Sequence, residues 1–368
     1  MTWRMPAETA PHDRIWMAFP REGEVMGDSS AARDATYDAW TSVAHAILPF
    51  EPVTMVVDPS ERERARRMLS AEIEIVEAPL DDFWMRDIGP TFVIDDETGA
   101  LGGVDWVFNA WGDQGGSFAR DALIAEAVIA QAAPAVTRIP SLLVNEGGAI
   151  HVDGAGTVMV TETVQLDPGR NRYATKERVE VELARTIGAT HTIWLPRGLT
   201  RDYEPLGTRG HVDMIATFAA PGIVLVHEQP DASHPDHAVM REVRAVLSRA
   251  TDAAGRGLQI IDLPAPTQLT DDEGFVDWNY VNHLTVNGGV IACGYGDDVA
   301  DTRARELLAA AYPGREVVTV DAREILARGG GIHCITQQQP SVPAPGGPAG
   351  AGAGSGAGAG AGAARDVG

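Results

Sequence analysis

Gly329-Gly330-Gly331-Ile332-His333-Cys334-Ile335-Thr336-Gln337-Gln338 is the stretch from which the rest of the chain is read. Consecutive glycines let the backbone bend sharply and approach other groups closely, and here they lead straight to a thiol. Only two cysteines occur in 368 residues, so this thiol does not serve a disulfide framework. Alone it would read as a small buried hydrophobe. The glycines and the polar residues after it favour a nucleophile, which needs an acid/base partner and groups that orient a substrate. Upstream, the chain supplies Trp84-Met85-Arg86-Asp87-Ile88-Gly89-Pro90, Asn145-Glu146-Gly147-Gly148 and Gly210-His211-Val212-Asp213.

These four segments together suit a cysteine hydrolase acting on a guanidinium-type cation. A guanidinium carbon is a poor electrophile, because resonance spreads its charge over the nitrogens. Carboxylates that grip the planar fork in bidentate fashion keep it charged and oriented for attack. Asp87 and Asp213 are the candidates for that grip, with Cys334 as nucleophile and His211 as the acid that later becomes the base. On a strand, His211 and Asp213 would share one face. Glu146 would orient substrate nitrogens or keep His211 protonated. Carboxylates around an empty site should raise the Cys334 pKa, so the thiolate is expected to form once a cation binds.

Neighbouring residues carry weaker readings. Trp84 is either core or a wall against the substrate chain, and Phe108-Asn109-Ala110-Trp111-Gly112 is either a pocket wall or a core turn. Asn279, Tyr280 and Asn282 would polarise the site or shape a hairpin. Arg86 reads as half of a structural ion pair, Asp81 and Asp82 as an exposed turn, and Cys293 as a structural thiol in an apolar strand. Strand alternation would point His333 away from the site.

Helical and β-branched segments alternate before the last stretch of chain. Tyr37, Trp40, Val43, Ala44, Ile47 and Leu48 recur at helical spacing, and further helices are expected over 121–131, 176–187, 235–248 and 302–311. Strands are expected over 53–57, 73–76, 157–160 and 222–226. Asn287-Gly288-Gly289 should turn a hairpin between 284–286 and 290–293. The result is an α/β protein with mixed sheets. Repeats of roughly 60 residues are too weak in self-similarity to claim. Residues 1–339 read as a single catalytic domain without a Pro- or Ser-rich linker. Pro340 to Gly368, nearly all Ala, Gly, Pro and Ser, read as a disordered tail.

Composition narrows the partners. With 29 basic and 52 acidic side chains the net charge is −23, which disfavours nucleic acid and suits a small cation. No apolar run is long enough to span a membrane. The N-terminus lacks a basic-then-apolar leader, so a reduced cytoplasmic setting is expected. Oligomeric state, including a homo-oligomer, is open.

At these motifs the chain resembles the agmatine deiminases, within the broader family that includes bacterial peptidyl-arginine deiminases. The resemblance runs from about Trp3 to Pro340. Gly330-Gly331-Ile332-His333-Cys334-Ile335-Thr336-Gln337-Gln338 is its most specific part. It implies a pentein-like fold, an α/β propeller of five ββαβ-type units around a pseudo-fivefold axis with the site at its centre. It further implies hydrolysis of agmatine to N-carbamoylputrescine and ammonia without a metal or cofactor. Residue by residue it places the nucleophile at Cys334, the acid/base at His211, the guanidinium grip at Asp87 and Asp213, and assistance at Glu146. The chain departs from many relatives at Gly331, where they carry Asn, and at His283, where an aromatic is common. Both changes would bear on the pocket for the substrate tail.

Other readings share parts of this pattern. A deiminase for peptidyl arginine or arginine, or an amidinotransferase, would use the same first half-reaction. A metallohydrolase would need clustered His and Asp ligands, whereas the histidines here are scattered in sequence. A non-catalytic binding protein of the same fold would not be expected to keep Cys334, His211 and both aspartates.

Overall fold

The chain closes on itself: Thr336–Pro340 runs antiparallel to His12–Ala18, with Gln337 opposite Trp16 and Gln338 opposite Ile15. The computed structural model describes residues 2–113, 116–205 and 207–342. Closure makes the two chain ends one structural unit. His12–Ala18 continues through helix Ser30–Ile47 into Val53–Val57, which lies parallel to it.

Four further units repeat the same order of an antiparallel pair, a helix and a parallel strand. Thr91–Asp95 pairs antiparallel with Leu101–Val107, and helix Ile124–Gln131 returns the chain to Thr137–Val144, parallel to the second strand. Ile150–Val152, Thr157–Thr161, helix Lys176–Ile187 and His191–Leu195 repeat it. Ala216–Ala220, Ile223–Glu228, helix Pro235–Leu247 and Gln259–Pro264 follow. Leu284–Val286, Gly289–Gly294, helix Asp298–Ala311 and Glu316–Asp321 complete the set. This is the five-unit propeller that the family resemblance implied. The repeats are structural rather than sequential, because a ββαβ unit requires only the right periodicities and turns.

Local chemistry explains the elements. Val53–Val57 is buried along its whole length, as expected of a parallel strand covered on both faces. Lys176–Ile187 starts where the Thr175 hydroxyl accepts the Arg178 amide, buries Val179, Leu183 and Ile187, and stops at left-handed Gly188. The Asn287-Gly288 turn sets Val286 opposite Gly289, as the dipeptide predicts. Two helices begin earlier than their apolar stripes indicate. Ser29 caps one by accepting from Ala32, and Asp297 caps the other by accepting from Ala300, so the polar caps rather than the stripes set the starts.

The first strand of each unit is entered through a short turn, and the motif residues sit in these turns. Helical turns Met85–Ile88, Gly147–Ala149 and Val212–Met214 lead into Thr91, Ile150 and Ala216. Asn279–His283 leads into Leu284, and Gly330–Ile335 into Thr336. His211 and Asp213 therefore lie on a 3-10 turn and not on the strand expected for them, because the strand starts only at Ala216. Pro340, assigned to the tail, closes the last strand, and the Ser341 amide donates to the Pro11 carbonyl. The remainder of the expected tail, residues 343–368, lies outside the described residues.

Candidate active site

The five entry turns converge, and Cys334, Asp87, Glu146, His211 and Asp213 converge with them. Every one of these side chains is buried. The Cys334 sulfur is 3.6 Å from Asp213 Oδ2 and accepts a 3.3 Å hydrogen bond from Asn282 Nδ2. His211 Nε2 lies 3.2 Å from Glu146 Oε2, and its Nδ1 lies 3.8 Å from Asp87 Oδ2. A Cβ added at Gly148 would fall 2.5 Å from His211 Nδ1, 3.0 Å from Asp213 Oδ2 and 3.1 Å from Asp87 Oδ1. Glycine is thus required there to keep open the space that the acid/base candidate and both aspartates share.

Each carboxylate is held differently. Asp87 accepts from the Trp111 indole at 2.8 Å and from the Gly148 amide at 3.0 Å. Glu146 receives Arg170 Nε on both oxygens, at 2.9 and 3.1 Å. Asp213 turns Oδ2 to His333 Nδ1 at 2.8 Å, while its buried Oδ1 has no partner among the described residues. An unpaired buried carboxylate oxygen is costly unless a ligand satisfies it.

The charges act on one another strongly. Burial pushes Cys334 well above the ordinary thiol range, and Asp213 and Asp87 add to the push. Carboxylate repulsion contributes as expected from the sequence, but desolvation is the larger cause. Burial opposes charge on His211 as well, yet Asp87, Glu146 and Asp213 outweigh it and raise the ring to about 9. Burial also raises Asp87, with Glu146 and Asp213 adding to the effect. Glu146 is lowered despite its burial, because Arg170 and His211 face it. These shifts favour a protonated thiol and a protonated imidazole at neutral pH.

A cavity of about 500 Å³ leads to Cys334. Trp84 forms part of its wall and packs edge-on against Trp40, so it serves as both wall and core. Trp111 sits in a left-handed stretch with Ala110 and Asp113, all at φ between 53° and 55°. This uncommon backbone carries the indole to Asp87, and such conformations gather at functional sites. Asp81 and Asp82 are not an exposed turn: both line the cavity, and their amides are tied down by Asp121 at 2.7 and 2.9 Å. Asp202 also lines the cavity. It is buried, pushed well above the carboxylate range by desolvation, and its Oδ2 has no partner among the described residues.

Asn282 touches the sulfur and Asn279 braces it, whereas the Tyr280 hydroxyl donates to Asp301. Arg86 forms its expected ion pair, 3.5 Å from Glu8. Cys293 donates to the Asn282 carbonyl from its apolar strand. His333 does not point away, because it lies in the turn before the last strand, where alternation does not apply. Neither Gly331 nor His283 lines the cavity. A Cβ at Gly331 would meet Asn282 Oδ1 at 2.3 Å, and His283 is bound to Tyr280 and Tyr312, so neither departure reaches a substrate tail. Glu8, Arg170 and Asp202 carried no local signal, being single polar residues in loops or short turns without a recognisable spacing.

Comparison with known proteins follows the same lines. Residues 4–340 match the Porphyromonas-type peptidyl-arginine deiminase family. A Streptomyces coelicolor protein provisionally assigned as an agmatine deiminase is 51% identical over 342 residues, covering 92% of this chain and 99% of the relative. Agmatine deiminase of Stutzerimonas stutzeri is 41% identical over 360 residues, covering 92% and 95%. The structure of agmatine deiminase of Enterococcus faecalis superposes with a TM-score of 0.84 at 34% identity, covering 92% and 96%. The chain belongs to the Porphyromonas-type peptidyl-arginine deiminase family, as an enzyme similar to the agmatine deiminases.

Proposed function

We propose that the protein hydrolyses agmatine to N-carbamoylputrescine and ammonia through a covalent thiouronium on Cys334. The observation that carries the reading is the Asp213 carboxylate, whose Oδ2 lies 3.6 Å from the Cys334 sulfur and borders, with Asp87, the space at Gly148, while its buried Oδ1 has no partner among the described residues. That arrangement offers a planar cation a carboxylate grip with a nucleophile at its carbon. The guanidinium neutralises the carboxylates that oppose the thiolate, so Cys334 gives its proton to solvent as substrate seats. The sulfur forms a bond to the guanidinium carbon. His211 gives its proton to a terminal nitrogen, the C–N bond breaks and ammonia leaves. Neutral His211 then takes a proton from water, the hydroxide adds to the thiouronium carbon, the C–S bond breaks to return the thiolate, and the new hydroxyl gives its proton to solvent to leave the ureido product. The scheme needs a free thiol, which a reducing compartment such as the cytoplasm maintains.

The acidic cavity wall supports agmatine over substrates bearing a carboxylate. Asp202 and Asp277 line it, with burial raising Asp277 to about 6. The distal ammonium of agmatine would satisfy the unpaired Asp202 oxygen. Arg201 is already held by Asp271 and Glu273, and Arg328 by Glu324. Arg21, which lines the cavity, donates to the Leu80 carbonyl and has a buried Nε without a partner among the described residues, and it favours arginine or an arginine peptide as a second reading. Ammonia release from agmatine, arginine and an arginine peptide separates the two. The proposal requires agmatine to win and its product to carry oxygen in place of one NH. Asp202→Asn is expected to raise KM for agmatine about tenfold, the scale of one charged hydrogen bond. It should leave KM for a simple alkylguanidine unchanged, and equal effects on both would remove Asp202 from amine recognition.

Titration offers a separate check. With His211 raised to about 9 from 6.5, kcat/KM should fall on the alkaline side as the ring loses its proton. Glu146→Gln removes a carboxylate that holds the charged ring and should move this limb to lower pH. The same shift gives the fold a stabilising contribution that is complete below pH 6.5 and lost as pH rises through about 9. Thermal unfolding should track that loss, and a flat profile across this window would contradict a charged His211.

A further inference from the structure

His333 bridges two buried carboxylates, with Nδ1 at 2.8 Å from Asp213 Oδ2 and Nε2 at 2.9 Å from Glu8 Oε1. Ionised carboxylates only accept hydrogen bonds, so the ring satisfies both contacts only when both nitrogens carry protons. Glu8 reaches this position from the N-terminal segment, where its carbonyl accepts from Thr285 at 2.6 Å. Its carboxylate also faces Arg86 Nη1 at 3.5 Å and His151 Nε2 at 3.6 Å. His283, Tyr312 and the Cys334 thiol are further titratable groups nearby, and all are buried.

We propose that Glu8 is a positioning residue for the reaction: by holding His333 as an imidazolium it pins Asp213 through Oδ2 and leaves Oδ1 free to take the substrate guanidinium. This rests on the reading of Asp213 as part of the guanidinium grip. Three features favour it. The Asp213 oxygen that His333 holds is the one 3.6 Å from the Cys334 sulfur, so the imidazolium charge lies behind the nucleophile and moderates the field of that aspartate. The His333 amide donates to Asn282 Oδ1 at 2.9 Å, which locks the same turn from its other side. Arg86 donates to the His333 carbonyl and to Gln338, so Glu8, Arg86 and His333 form one connected support beneath the site.

Glu8, His151 and His333 also place ligand atoms within 4.8 Å of one another, as a metal site would. The donors are engaged otherwise. His151 Nδ1 accepts the Phe218 amide, its Nε2 sits 2.5 Å from the Thr217 hydroxyl, and both His333 nitrogens face carboxylates. With the Arg86 guanidinium and the charged His333 ring already beside Glu8, a metal ion would add a third positive centre to one carboxylate.

The test uses the full chain with Glu8→Gln and Glu8→Asp. Nitrogen NMR of selectively labelled histidine should show His333 doubly protonated across the assay range in the native protein and titrating within it in Glu8→Gln. KM for agmatine should rise about ten- to a hundredfold in Glu8→Gln, the scale of a lost charged hydrogen bond, with kcat changing less. The KM increase should grow with pH as His333 loses its proton, and Glu8→Asp should recover part of it. Agmatine binding to Cys334→Ser protein, with and without Glu8→Gln, reads the same loss without turnover. A folded Glu8→Gln protein with native KM at every pH, a neutral His333 in the native protein, or stoichiometric zinc lost on Glu8→Gln would overturn the proposal. Absence of agmatine turnover by the native protein would instead defeat the functional reading, and it leaves the His333 charge measurable.

Discussion

Cys334→Ser should lower agmatine turnover by about 10⁴-fold or more, the scale of removing a covalent nucleophile, while agmatine still binds. Sulfur is required because its proton can be removed near neutrality once a cation arrives, whereas a serine hydroxyl in the same pocket keeps its proton. The native thiol is already held well above its ordinary range by burial, Asp213 and Asp87. A group intrinsically harder to ionise gains too little from the substrate's charge. Binding should survive, because the aspartates and Trp84 are untouched. Ammonia release reads the first outcome and calorimetry the second. Acid-quenched native enzyme should carry the amidino group on the Cys334 peptide by mass spectrometry. Undiminished turnover in the serine variant, or an adduct on another residue, would remove Cys334 from the chemistry.

Asp213→Asn is the second large effect, an expected loss of about 3–5 kcal/mol in kcat/KM, the cost of breaking a buried charge pair. The amide replaces an anion that serves three neighbours at once. Oδ2 accepts from His333, the same oxygen lies 3.6 Å from the Cys334 sulfur, and Oδ1 awaits a donor. Asparagine would leave the substrate cation with Asp87 alone, and Asp87 is itself raised by burial. Steady-state kinetics should show the loss mainly in KM, with alkylation of Cys334 in the free enzyme starting at lower pH because one opposing charge is gone. A variant with native KM and an unshifted alkylation profile would show that Asp213 neither grips the substrate nor acts on the thiol.

Much of this protein is legible in its amino-acid order. Local periodicity marks Val53–Val57, Lys176–Ile187 and the hairpin around Gly288, because strands, helices and tight turns are set by nearest neighbours. The glycine-flanked thiol, imidazole and aspartates are recognisable because the proposed covalent attack on a held cation needs those groups and tolerates few others. Tertiary structure alone decided where they meet. The contacts of the site join residues 61, 65, 69 and 52 positions apart, and Glu8 reaches His333 across 325. Such pairs are set by closure of five units and by strand pairing between the chain's two ends, which no local pattern encodes. For that reason the sequence names Cys334, His211, Asp87, Asp213 and Glu146. Only the closed fold adds Arg170 and Glu8, and only it decides between the alternatives open at Asn282 and Trp111, because these positions depend on what the propeller brings behind the site.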